Sequence, residues 1–303
     1  MAFQKVTREK SKLRLALAGP SGAGKTLSAL LLAYGITNDW SKIALIDTEH
    51  GRAKFYANRS DLKTGEFLYQ EMSAPYSPDR YITMVNEGVE AVGEDGVVIV
   101  DSFSHAWNNS GGVLEIKEKL EDGNSKKTFF ALAEAGKIQN NLVNSILSVN
   151  CHTIVTMRTK MAYAIEQNEY GKNVPVKLGL EPVQRENTEY EFDIMLNIAR
   201  NHVASASKDT TFLDTWSGVI TPELGKSLKE WLDDGIEPEI CSVCKQKILP
   251  TKQKTIQEIV DGSLKTYSKK MCWKCVMQEF KRRKETEISA TEGVSGNIGA
   301  ESS

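Results

Sequence analysis

Short apolar runs alternate along the chain with segments of helical spacing. "LRLALA" (13–18), "KIALID" (42–47), "VVIVD" (97–101) and "HTIVTM" (152–157) are nearly continuous in apolar residues, as strands buried on both faces are. "GEFLYQEM" (65–72) reads as a weaker strand. Helical periodicity runs from Lys25 to about Tyr34, over 79–92 and over 128–149. This order predicts an α/β domain whose mostly parallel sheet is covered by helices on both faces. Beyond it the pattern changes. Residues 160–189 are polar and carry turn signals, "NEYGKN" among them. "YEFDIMLNI" and "HVASAS" read as successive antiparallel strands, and a helix near 222–233 closes the domain. The organisation expected is an N-terminal arm over 1–12, a domain over 13–234, a linker over 235–240, a cysteine module over 241–284 and a disordered acidic tail over 285–303.

Composition narrows the class without naming a function. The chain has 303 residues, 40% hydrophobic and 26% charged, as ordinary globular proteins do. No apolar run is long enough to span a bilayer and "MAFQKVTREKSK" has no signal-peptide core, so a cytoplasmic protein without a membrane partner is expected. Five cysteines argue against a disulfide framework. The net charge of −2 hides an asymmetry. Residues 241–284 hold twelve Lys/Arg against three acids, a net of +9, while the tail carries −4 and residues 1–240 carry −7. An acidic body joined to a basic module suggests separate tasks.

The first strand runs into "GPSGAGKT": Gly19, Pro20, Ser21, Gly22, Ala23, Gly24, Lys25, Thr26. Gly-x₄-Gly-Lys-Thr between a strand and a helix is the P-loop pattern. Its glycines let backbone N–H groups converge on phosphate oxygens, and the helix adds its positive end. Lys25 is placed to reach the β- and γ-phosphates of ATP and Thr26 to hold Mg²⁺. Asp101 ends the most apolar strand, where an acid either holds Mg²⁺ or caps the next helix. Past the neighbouring strand stand Asp47 and Glu49. Glu49 either orients an attacking water or is merely solvated, with Asp47 a helix cap.

A resemblance bears on that choice. "ALIDTEHGRAKFYA" is similar to the RecA-family segment that carries the catalytic glutamate. "VVIVDSFSHAW" resembles the Walker B strand and its following loop, and "HTIVTMR" the third core strand, which ends in a polar sensor. With "GLEPVQRENTEYEFDIMLNI", residues 13–215 resemble a bacteriophage group of minimal RecA-like ATPases linked to single-strand annealing and recombination. The resemblance implies a RecA-like P-loop NTPase core, Glu49 as water-activating base, Asp101 as the Mg²⁺ acid, Arg158 at the sensor and 159–187 as a DNA-facing loop. In RecA filaments two lysines of a neighbouring subunit meet the γ-phosphate; "ASASKDTT" supplies Lys208 alone, with Thr210 in the second place. The resemblance therefore leaves the assembly open between a filament of the RecA type, a ring and a short oligomer.

Contacts to single-stranded DNA are expected from the loop after Asp101, with Phe103, His105 and Trp107. Further ones are expected from Lys160, Tyr163, Tyr170, Lys172, Lys177 and Arg185, since rings stack on bases and cations meet phosphates. The alternative is that the rings pack in the core and the lysines face water. The four histidines have no metal spacing, and Cys151 suits a small buried site.

"CSVC" and "CWKC" place Cys241, Cys244, Cys272 and Cys275 as two Cys-x₂-Cys knuckles separated by 27 residues. Four such thiolates make a tetrahedral Zn²⁺ site, here a zinc ribbon whose long spacer predicts an inserted hairpin or helix; redox dithiols are the rival. Lys269, Lys270, Lys274, Lys281, Arg282, Arg283 and Lys284 surround the second knuckle and suit either phosphate contact or a soluble protein-docking surface. Three functions follow. The first is a DNA-dependent ATPase of phage recombination or replication. The second is a nucleotide-switched adaptor recruiting phage or host replication and recombination proteins. The third, weaker, is a small-molecule kinase.

Overall fold

The structure, a computed structural model, describes residues 7–167 and 173–295. They form two compact units, 11–233 and a smaller one of residues 7–10 with 234–295.

In the larger unit, β1 (Arg14–Gly19), β2 (Ile43–Asp47), β3 (Leu68–Glu71), β4 (Val97–Asp101), β5 (His152–Gln167) and β7 (Ile194–Ile198) lie in the order β3-β2-β4-β5-β1-β7, all parallel. β8 (Val203–Lys208) and β9 (Ser217–Val219) extend that edge antiparallel. Strand period decides which side chain serves which face. Leu13, Leu15 and Leu17 join one core under α1 (Lys25–Thr37) and α6 (Pro222–Asp233). Ala16 and Ala18 join the other, under α2 (Pro78–Val92) and α5 (Thr128–Leu147). α1 and α6 meet at two glycines. A Cβ on Gly35 would lie 2.0 Å from the Pro222 carbonyl oxygen, and one on Gly225 2.3 Å from that of Leu32.

Three expectations change. Residues 160–189 are not a polar connection. β5 continues to Gln167 and pairs antiparallel with β6 (Asn173–Pro182), from Thr159 opposite Pro182 to Gln167 opposite Asn173. Pairing satisfies the backbone of a segment whose polar side chains disguise it. Residues 102–106 are not an open loop after Asp101 either, being buried as the chain enters α3 (His105–Asn108), which α4 (Val113–Glu121) follows. In the smaller unit, α7 (Ile256–Tyr267) fills the spacer between the knuckles, and α8 (Trp273–Ser295) carries helix into a stretch expected to be disordered. Residues 296–303 of that tail lie outside the described residues. No described helix is long and apolar enough to cross a membrane. Cys151 is fully buried, and burial pushes its thiol up to about 11.

His152 is buried at the start of β5, and its Nδ1 accepts the Leu13 N–H at 3.0 Å. That acceptor is lost on protonation. Burial, with the charges of Lys12, Lys229 and Arg14, pulls the imidazole down to about 3. The unfolded chain takes up a proton near pH 6.5 and the native one does not, so stability falls with pH from there towards 3. His152→Asn keeps an acceptor without a titration. Denaturant unfolding at pH 7 and pH 5 is expected to show this variant losing about 2 kcal/mol less than the parent chain.

Candidate functional site

Parallel strands bring their carboxyl ends to one edge, and the candidate residues gather there. Asp47 lies opposite Asp101 and Gly19 opposite Arg158 in the sheet register. From Gly19 the chain turns through Pro20, Ser21, Gly22, Ala23 and Gly24 into α1. Gly24 has φ +89°, a left-handed conformation that disfavours any side chain. His202 braces the turn, its Nδ1–H donating to the Ala23 carbonyl at 3.0 Å. The first N–H groups of α1 have no intrahelical acceptor, and the aligned peptides make that end positive. Lys25 folds back across the loop, donating to the carbonyls of Gly19 (2.9 Å) and Pro20 (3.1 Å). Burial lowers its pKa against the opposing pull of Asp101 and Glu49.

Asp101 is buried and accepts two hydroxyls at 2.5 Å, Thr26 on Oδ2 and Thr156 on Oδ1. Burial raises its pKa, and the two hydroxyl bonds pull the other way. It is not a simple helix cap. A hydroxyl and a carboxylate side by side are the hard oxygen donors that Mg²⁺ takes, so Thr26 and Asp101 fit that ion.

The two acids after β2 have separate situations. Asp47 is fully buried and spent on its own turn: Oδ1 accepts the Glu49 N–H at 2.5 Å, Oδ2 the Ala53 N–H at 3.0 Å and the Tyr69 hydroxyl at 3.2 Å. This turn aims Glu49 back across the sheet edge. Glu49 is not freely solvated. Arg158 grips it with a two-point fork, Nε to Oε1 at 2.8 Å and Nη2 to Oε2 at 2.7 Å. Burial pushes Glu49 up, but the Arg158 bond and charge, with Lys25 behind them, hold it below the usual carboxylate range. The same partner raises Arg158.

Sequence reasoning missed Thr156 and Thr48, and it set His105 toward DNA and not toward this site. Thr156 had a signal, a polar residue inside the apolar run beside the Asp101 strand. His105 is buried, with Nδ1 2.8 Å from the Thr48 hydroxyl and Nε2 4.0 Å from Glu49 Oε1. Sequence gives no sign of either contact.

The remaining candidates scatter. Lys208 is not in this chain's pocket. β8 runs back from His202, so Lys208 sits at the opposite end of the strand, across from Met195, where it donates to the Tyr190 carbonyl. Phe103 and His105 do not offer open faces for bases; Phe103 is fully buried, edge-on to Tyr81 at 6.3 Å. Trp107 is half-buried. Arg185 donates to Asn140 Oδ1 at 2.7 Å, and Lys160 pairs with Glu181 across the hairpin at 3.2 Å. Tyr170 and Lys172 lie outside the described residues, as do the side chains of Tyr163 and Lys177.

In the smaller unit, the Sγ atoms of Cys241, Cys244, Cys272 and Cys275 all lie within 4.8 Å of one another. The first knuckle is a tight turn, with Lys245 N–H donating to the Cys241 carbonyl at 2.9 Å. The second sits at the start of α8. Zn–S bonds of about 2.3 Å put tetrahedral sulfurs about 3.8 Å apart, and Cys244 and Cys272 are separated by 3.7 Å. The four thiols fit Zn²⁺. Around them packs a small core of Ile248, Ile259, Val260 and Met271.

Residues 11–233 match the family model of the AAA domain. No curated protein matches the chain.

Proposed function

As the chain belongs to the AAA-domain family of P-loop ATPases, we propose that it binds and hydrolyses Mg²⁺·ATP at the loop Gly19–Thr26 and acts on single-stranded DNA in recombination or replication. The observation that carries the ATPase reading is the convergence of the Thr26–Asp101 pair and the Glu49–Arg158 pair at the loop. Lys25 exchanges the two loop carbonyls for β- and γ-phosphate oxygens. Thr26 and Asp101 hold Mg²⁺, which when bound neutralises charge developing on the phosphates. Glu49 orients the attacking water and receives its proton, and Arg158 senses the terminal phosphate. In-line displacement by water gives ADP and inorganic phosphate.

The DNA reading is supported by two features. Residues 241–284 carry a net of +9, which favours phosphate contact by counterion release. Each of three aromatic rings there has a cation over it: Lys254 over Trp273 at 4.7 Å, Arg283 over Tyr267 at 4.6 Å and Lys284 over Phe280 at 5.0 Å. Rings beside cations suit single strands. An adaptor reading also has an observation in its favour, an apolar groove of about 300 Å³ between α7 and α8 lined by Trp273, Val276, Met277 and Phe280. Phe129 and Phe130 are exposed on α5 and suit a second copy of the chain.

Phosphate release with and without single-stranded DNA separates the readings. DNA is expected to raise ATP turnover, with binding that weakens steeply as salt rises. Turnover and electrophoretic mobility unchanged by DNA, with a partner protein retained by the immobilised chain, would instead identify the adaptor.

A further inference from the structure

Glu49 takes both arms of the Arg158 fork, yet a second donor stands beside it. His105 Nε2 is buried, has no hydrogen-bond partner among the described residues, and lies 4.0 Å from Glu49 Oε1. The carboxylate in front of it favours a proton on this nitrogen, and Thr48 behind can supply the matching bond. The Thr48 hydroxyl receives the Ser102 N–H at 2.8 Å and has one proton to give. Two acceptors compete for it, His105 Nδ1 at 2.8 Å and the Ser102 carbonyl at 3.2 Å. The imidazole takes it, because a proton on Nε2 faces the Glu49 carboxylate, where a bare lone pair would be repelled. With Nδ1 accepting, the proton of the neutral ring is on Nε2, the nitrogen nearest Glu49. Burial and the Arg158 charge both lower the His105 pKa, which keeps the ring neutral. A buried N–H with no acceptor is costly, and Glu49 is the acceptor within reach of a small rotation.

We propose that His105 is a positioning residue for Glu49. Its Nε2–H takes hold of one carboxylate oxygen when Arg158 releases an arm of its fork. The inference rests on Glu49 being the water-activating base. A two-point guanidinium holds the carboxylate in its weakly basic form and engages both oxygens. A single neutral N–H restrains the same group through one oxygen and leaves the other free to receive a water proton. The proton passes from water to Glu49, and His105 stays neutral throughout. Arg158, Lys25, Asp101 and His50 also face this pair, and Arg52 approaches Glu49 Oε2 at 3.7 Å. The ring of Tyr76 packs against His105 at 5.1 Å.

Steady-state ATP hydrolysis and binding of a fluorescent ATP analogue by the full chain test this, in the parent protein and in His105→Phe, His105→Gln and Glu49→Gln. Phe keeps a ring without the N–H; Gln returns an amide N–H near the same place. His105→Phe is expected to lower kcat ten- to a hundredfold, on the order of one hydrogen bond to a charged group. KM and analogue affinity are expected to stay within about twofold, the pattern of an interaction used in the transition state. His105→Gln is expected to recover most of the rate. A parental kcat in His105→Phe, or equal loss of rate and analogue binding in both His105 variants, overturns the proposal while an inactive Glu49→Gln leaves the base assignment standing. A fully active Glu49→Gln removes both.

Discussion

Glu49→Gln is expected to bind ATP as tightly as the parent chain and to turn it over about 10²- to 10⁴-fold more slowly, the usual contribution of a positioned general base. Affinity is expected to survive because, of the groups that would contact the phosphates, only Arg158 is bonded to Glu49, and it keeps an amide oxygen as acceptor. The Gly19–Thr26 loop, Lys25 and the Thr26–Asp101 pair are held by other bonds. The loss falls on proton transfer. An amide oxygen still accepts from Arg158 but is too weak a base to take a proton from water. Titration with a fluorescent nucleotide measures the first quantity and phosphate release the second. Normal turnover would mean that water is activated elsewhere.

The second large effect concerns the cysteines. Chelation of the metal, or Cys275→Ser, is expected to unfold the smaller unit. Its core of Ile248, Ile259, Val260 and Met271 is slight for two helices. A structural Zn²⁺ site contributes about 10–16 kcal/mol, more than such a core supplies. α7 has a complete capping box between Thr255 and Glu258, but a cap is worth only about 1 kcal/mol. Circular dichroism is expected to lose the helical signal of α7 and α8, and limited proteolysis to begin after about residue 234. Nucleotide binding by residues 11–233, which have their own two-sided core, is expected to persist. Elemental analysis showing one zinc per chain completes the test; unchanged helicity in the chelated protein would mean that the four thiols are not a folding site.

Much of this was legible in the residues. Apolar runs located β1, β2, β4 and the start of β5, because a strand buried on both faces leaves little choice of residue. The loop and Asp101 followed, since motif and strand end coincide. The pattern gave out where partners decide. Nothing in "DTEHG" says which acid turns inward; Asp47 does so because Ala53 and Tyr69 stand ready to donate to it. The β5–β6 hairpin was hidden by its polar residues, as pairing satisfies a backbone whatever the side chains. Lys208, expected to face a neighbouring subunit's nucleotide, stands away from its own loop because an antiparallel return carries it there. Thr48 and His105 come together across 57 positions of sequence, beyond the reach of any local pattern.

The most direct measurement is a crystal structure of Glu49→Gln with Mg²⁺ and ATP. The triphosphate is expected in the loop Gly19–Thr26, with Lys25 moved from the Gly19 and Pro20 carbonyls onto it, the ion beside Thr26 and Asp101, and residue 49 facing the terminal phosphorus. A triphosphate bound elsewhere, or a loop still closed by Lys25 at saturating nucleotide, would contradict the assignment.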